Sequence, residues 1–176
     1  MRVASQLTFC SPQQILRRTV VEQDELKIIN AIFSLDESSV ESAHTLFYDG
    51  ILSAEVISIS QLAKETDLSD SLRKFEYLNM TNSLPTNIIQ KTEKLLVLDF
   101  GINAIDEINS KLTILAPLFE TFSALEFIAA CTYYPAILCG INPILAENRK
   151  TDLLLWENVD LVNKRITPET KIRIIG

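Results

Sequence analysis

Histidine is nearly missing from this chain: His44 is the single one among 176 residues. A catalytic zinc site takes three protein ligands of the His, Cys, Asp or Glu type and keeps one position open. The chain is therefore poorly supplied for the imidazole-rich versions of such a site. Cysteine is scarce as well. Cys10, Cys131 and Cys139 make an odd number with no Cys-x-x-Cys spacing, which predicts reduced, mostly buried thiols in a cytoplasmic protein. Basic runs are absent, with Arg17-Arg18 and Lys164-Arg165 as isolated pairs in a chain of net charge −7. That balance excludes nucleic acid as an expected partner, because phosphate binding needs a concentrated Lys/Arg surface. There is no Gly-rich phosphate loop and no nucleophile elbow. Residues 1–10 hold one Arg but no sustained apolar core, so no signal peptide is expected. Residues 127–146 carry no charge and have spanning length, but Pro135, Gly140, Asn142 and Pro143 interrupt them. Two turns explain that stretch better than a bilayer does.

What is present is enough apolar material, 47 % of the residues, to bury the core of one domain. Residues 2–9 read as a strand closed by Ser11-Pro12, and residues 15–22 and 27–33 as a hairpin around Gln23-Asp24-Glu25. Residues 38–44 are polar and read as a connection or one helical turn. Residues 45–48 and 54–59 supply two more strands around an Asp49-Gly50 turn. From Ser60 the period changes. Leu68, Leu72, Phe75 and Leu78 share one helical face, and Ile102, Ile105, Ile108, Leu112 and Leu115 mark a second helix that Pro117 stops. Residues 95–100 between them read as a short buried strand. Ser123 and Glu126 have the spacing of a capping box, with Phe122 and Phe127 at the staple positions. The helix they start ends or kinks near Pro135, and Gly140 suits a left-handed cap. Residues 152–156 and 171–175 return to β structure. A terminal strand cannot bury its apolar face alone, so both chain ends are expected in one sheet system. The expected fold is α+β, one domain over residues 1–176. Its β part covers 1–60 and 148–176, and its mainly helical part, with about three helices, covers 61–147.

Three fragments resemble amidohydrolases of the cytosine/adenosine-deaminase-related group. Gly50-Ile51-Leu52 is similar to the point where that family leaves its small β domain, writing Gly-Ile-Leu, then Pro-Gly-Phe, then a metal-holding His-x-His. Aligned from Gly50, the two histidine positions fall on Ser60 and Leu62. Residues 130–136 (Ala-Cys-Thr-Tyr-Tyr-Pro-Ala), Cys139-Gly140 and residues 148–153 (Asn-Arg-Lys-Thr-Asp-Leu) resemble the family's Ala-Thr-x-Asn-Pro-Ala, Leu-Gly and Gly-Lys-x-Ala-Asp-Leu. Residues 81–87 resemble Thr-Asp-Ser-Leu-Ala-Ser-Asn, with Asn82 in place of the metal-binding, proton-transferring aspartate. An amide is no general base near neutral pH and a weak metal ligand.

The resemblance implies a small β-sandwich or rolled sheet built from both termini, with a metal-binding barrel inserted between them. Only about twenty residues separate Leu62 from Thr81, whereas a complete (β/α)8 barrel takes about 250. The implied protein has lost its barrel. It is expected to be a non-catalytic, metal-independent pseudoenzyme with no cofactor, acting in binding or assembly, with Ser60, Leu62 and Asn82 marking lost catalytic positions. Loss of the barrel uncovers apolar surface, which a twofold homodimer or an unknown protein partner would close. Two alternatives stand beside this reading. One is a hydrolase or deaminase subunit acting on C–N bonds only with a partner chain; the other is a small-ligand binding protein using Tyr133, Tyr134 and Trp156. Those three aromatics could line a pocket or an interface, although core aromatics are commoner. His44 reads as a surface or capping residue. The carboxylate pairs Asp36-Glu37 and Asp67 with Asp70 read as solvated loop charge.

Overall fold

A computed structural model describes residues 1–35, 44–59, 71–81, 84–101 and 103–175, with backbone alone at 71 and 72. The strands are β1 (Arg2–Ser11), β2 (Gln14–Gln23), β3 (Ile29–Ser34), β4 (Thr45–Ser53), β5 (Phe75–Asn79), β6 (Leu95–Asp99), β7 (Leu153–Glu157) and β8 (Lys171–Ile175). The helices are α1 (Ala104–Leu118), α2 (Ala124–Cys131) and the short α3 (Tyr133–Leu138). The fold is α+β, with a mixed six-stranded sheet in the order β3-β2-β1-β4-β7-β8 and a separate two-stranded sheet of β5 and β6. Two compact units divide the chain. The first holds Met1–Glu55, Ile144–Asn158 and Lys171–Gly176, and the second holds Val56–Pro143 and Val159–Thr170. Residues 56–59 and 159–170 thus group with the second unit, apart from the β part to which the sequence reading gave them.

In the first unit, strands from both chain ends share one sheet, as the need to cover a terminal strand demands. β2 and β3 pair antiparallel from Thr19↔Ser34 to Gln23↔Ile29, the expected hairpin. Its turn lacks glycine and is closed instead by the Asp24 carboxylate, which accepts the amides of Leu26 at 2.8 Å and Ile28 at 2.9 Å. β1 is antiparallel to β2 and parallel to β4. β7 reads Leu-Leu-Leu-Trp without alternation because it lies inside the sheet, and all four residues are fully buried.

The expected Asp49-Gly50 turn is not a turn. β4 runs unbroken through it, and the register against β1 slips between Ser5 and Leu7 as Tyr48 passes to Ile51. One extra residue on one strand is a bulge, which reverses the side-chain alternation beyond it. β1 has an extra residue of its own against β2, between Phe9 and Ser11, and the core takes Val3 from its start and Cys10 from its end. The second strand expected here, over 54–59, does not form either, and residues 54–58 are irregular.

In the second unit, the helix expected through Phe75 and Leu78 is replaced by one 3-10 turn, Ser71–Lys74, and then strand β5. β5 pairs in parallel with β6 from Phe75↔Leu95 to Asn79↔Asp99. The partner decides here: an apolar strand next to Phe-Glu-Tyr-Leu-Asn offers a full ladder, and the local helical spacing is overridden. α1 buries Ile108, Leu112 and Leu115 and runs past Pro117 to Leu118 before it ends. α2 starts as expected, with both halves of the Ser123/Glu126 capping box formed. Phe122 and Phe127 both meet the Phe119 ring edge-on, at 5.5 Å and 4.9 Å between centroids.

The helix breaks at Thr132 because Pro135 has no amide to give the Cys131 carbonyl four residues back. That carbonyl accepts the Ile57 amide at 3.2 Å instead. α3 ends in a Schellman motif. Gly140 has φ +69°, its amide reaches Ile137 O at 3.1 Å, and the Ile141 amide reaches Ala136 O at 2.9 Å.

Candidate functional site

Ser60, Leu62 and Asn82, the positions matched to lost catalytic residues, lie outside the described residues, as do Asp36, Glu37, Asp67 and Asp70. His44 is an exposed turn residue with φ +65°. Among the described residues, no three His, Cys, Asp or Glu side chains come together as a metal cradle.

The three aromatics singled out from the sequence do not form one site. Trp156 belongs to the first unit, where it is fully buried and donates its indole N–H to the buried Ser53 hydroxyl at 2.9 Å. A buried indole needs such a partner, and this one makes Trp156 a sheet-core residue. Tyr133 and Tyr134 belong to the second unit, edge to face at 5.6 Å, with Tyr134 tilted against Phe75 at 6.0 Å.

Tyr134 lines a cavity of about 160 Å³ together with Leu96, Phe122, Lys91, Glu126 and Glu76. Lys91 bonds both Glu126 oxygens, at 2.6 Å and 2.8 Å, and stands 5.5 Å from the centre of the Phe122 ring. Burial would raise the Glu126 carboxyl. The hydrogen bonds from Lys91 and Ser123, with the Lys91 charge, outweigh it and hold the group below its ordinary value. Burial and the neighbouring Tyr133 and Glu126 push the Tyr134 phenol up. The cavity is smaller than the 300–1,000 Å³ or so usual for ligand pockets. Its ion pair is tied into a helix cap.

The most built polar cluster escaped the sequence reading. Asp99, at the carboxyl end of β6, is fully buried. Its carboxylate accepts the Tyr77 hydroxyl at 2.8 Å, the Ser58 hydroxyl at 3.3 Å and the Gly101 amide at 3.0 Å. Its carbonyl accepts the Met80 amide at 2.8 Å. Burial and the bonded Asp99 carboxylate raise the Tyr77 phenol well above the usual range, so Tyr77 remains a donor. Cys139 is pushed up by burial and then by the Asp99 charge, and burial raises Cys10 to about 11 and Cys131 well above the ordinary value. None of the three thiols is therefore a ready nucleophile at neutral pH. With donors on both oxygens, Asp99 works as a clamp joining β5, β6 and the chain at Ser58. The available sequence signal was an aspartate inside the apolar run of residues 95–100, two residues before Gly101.

A second cluster lies in the first unit. Burial raises the Glu55 carboxyl, and the Arg149 and Lys27 charges and the Thr151 hydroxyl only partly offset it. Burial also lowers Arg149, whose Nη1 is buried without a hydrogen-bond partner. Lys27 pairs with Asp152 beside them.

No helix among the described residues is long and apolar enough to cross a membrane. Comparison with family models, with curated proteins and with solved structures finds no match to this chain.

Proposed function

We propose that this protein is a non-catalytic, amidohydrolase-like chain that has lost its barrel and acts in assembly as a cytoplasmic homodimer. The observation that carries the reading is the composite sheet. The chain leaves the sheet after Ser53 at the end of β4, and β7 returns to pair with β4 from Ile51↔Trp156 to Ser53↔Leu154, with β8 beyond it. A β domain assembled from both ends around an insertion has this topology, and the amidohydrolase-like fragments fall at both junctions. A small sandwich or rolled form of that domain belongs to the same proposal. The loss of catalysis rests on Ser60, Leu62 and Asn82 standing where the family has ligands, in a chain with a single histidine.

A second reading, a small-ligand binding protein, has the cavity beside Tyr134 in the second unit as its place, which at about 160 Å³ admits only a fragment-sized molecule. Native mass spectrometry of gently purified protein tests the main reading. The expected spectrum is a metal-free homodimer. Stoichiometric zinc or iron, or turnover of a C–N substrate lost on chelation, would overturn the non-catalytic assignment.

A further inference from the structure

We infer that two copies pair edge to edge through residues 45–49 of β4, antiparallel about a twofold axis at Phe47, joining their six-stranded sheets. The inference rests on the assembly reading and names its surface.

β1 follows one edge of β4 from Arg2↔Thr45 to Thr8↔Leu52. β7 covers the other edge only from Ile51 to Ser53. Among the described residues, no strand or isolated bridge pairs with that second edge over 45–49. Tyr48 is half-buried under the Arg173 guanidinium, 4.7 Å from its ring centre, but the two residues before it are uncovered. Leu46 is 52 % exposed and Phe47 59 % exposed, and neighbouring residues of a strand point to opposite faces. Apolar side chains on both faces therefore meet solvent at Leu46 and Phe47, beside the covered Tyr48. On one side the surface is hollowed into a groove of about 380 Å³ lined by Ala4, Gln6, Arg18, Leu35, Phe47 and Asp49, with room for a second ring.

The outer edge of β8 and the start of β3 are protected, and residues 31–34 of β3 are half-buried, unlike Leu46 and Phe47. β8 carries exposed Lys171 and Arg173. β3 is tied down at its start, where Ile29 accepts the Asn148 amide at 2.7 Å and gives its own to Arg149 O at 2.9 Å. Charge and covering chain are the usual protections of a sheet edge. Thr45-Leu46-Phe47-Tyr48 has neither charge nor proline.

The segment is also its own complement. Antiparallel pairing centred on Phe47 sets Leu46 opposite Tyr48 twice, Phe47 opposite itself, and the Thr45 hydroxyl opposite the Asp49 carboxylate twice. Aromatic and aliphatic cross-strand pairs are favourable, and no like charges meet. A twofold contact requires this self-complementarity, and a second copy supplies it without further assumption.

The test uses the full chain and three variants, by sedimentation velocity and by oxidative cross-linking. Phe47→Lys sets two ammonium groups against each other and is expected to raise the dimer dissociation constant at least thirtyfold or so. Phe47→Cys, with Cys139→Ser to remove the half-exposed native thiol, is expected to form an interchain disulfide. Facing Cα atoms in such a ladder lie about 4.5–5.5 Å apart, within disulfide reach. Leu26→Cys in the same background, equally exposed but remote on the β2–β3 turn, is expected not to cross-link. If Phe47→Lys unfolds, the cysteine pair still decides. A dimer that Phe47→Lys leaves intact and Phe47→Cys does not cross-link would overturn this surface and leave the assembly reading standing. A wild-type chain that stays monomeric at all concentrations would overturn both.

Discussion

Gly50 stands where no side chain fits. Its φ is +154°, and a Cβ built there would meet the Trp156 carbonyl oxygen at 2.3 Å. Backbone, not a flexible side-chain tip, blocks the space, so the strand itself would have to move. Gly50→Ala is expected to destabilise the first unit by about 3 kcal/mol or more, combining strain with overpacking, as read from urea unfolding. An unchanged midpoint would mean that β4 and β7 are looser there than the geometry shows. Glu55 gives a residue-scale prediction of opposite sign. Burial raises its folded pKa above the unfolded value, so the native state holds the proton longer than the unfolded chain does. The stability linked to this group is fully present below its ordinary pKa and is lost as pH rises through the raised folded value. Glu55→Gln keeps the shape and removes the titration. The variant is expected to be more stable than wild type at neutral pH, and the difference should close on acidification. A variant less stable at neutral pH would show that Arg149 depends on the Glu55 charge more than burial penalises it.

Among the elements, α2 depends most on a short local device. The Ser123 hydroxyl accepts the Glu126 amide at 3.2 Å, and the Glu126 carboxylate takes the Ser123 amide at 2.7 Å. Ser123→Ala is expected to cost about 1 kcal/mol in thermal or urea unfolding. Since the Glu126 carboxyl is held below its ordinary value, its contribution is present above that value and lost as pH falls through the depressed folded one. Glu126→Gln should lack that part of the acid slope, and a variant with the same slope would assign it elsewhere. This cap was fully legible in the sequence because every participant lies within five residues. The helix break at Pro135 was equally legible, but the acceptance of the Ile57 amide by the freed Cys131 carbonyl was not, since nothing local links residues 57 and 131. β5 was misread for a related reason. Leu72, Phe75 and Leu78 have helical spacing, and only β6, arriving from about twenty residues further on, makes Phe75–Asn79 a strand. Asp99 stayed hidden because its partners Ser58, Tyr77 and Gly101 are scattered along the chain.

For the whole molecule, the joining of both chain ends in one sheet could be argued from the sequence alone, because a terminal apolar strand needs cover. The course of β4 could not. A glycine in an apolar run signals either a turn or a bulge, and the Trp156 carbonyl that decides between them is remote in sequence. The same closure makes β8 indispensable to the first unit. It forms the outer ladder of β7 from Leu153↔Ile175 to Glu157↔Lys171, and its Ile172 and Ile175 are buried at 3 % and 4 % exposure. Without it, β7 becomes an edge strand of four large apolar residues, which a sheet does not tolerate in water. Removal of residues 171–176 is expected to abolish amide protection across β7 and the β4 residues it pairs with, read by hydrogen exchange. Protection in α2 and β6, which belong to the other compact unit, should persist. A synthetic peptide of residues 171–176 added in trans should restore part of the lost protection by refilling the edge. If the truncated chain keeps β7 protected, the closing strand is an accessory and the composite sheet ends at β7. If α2 loses protection together with β7, the two units unfold as one, and the chain's stability is a single cooperative quantity.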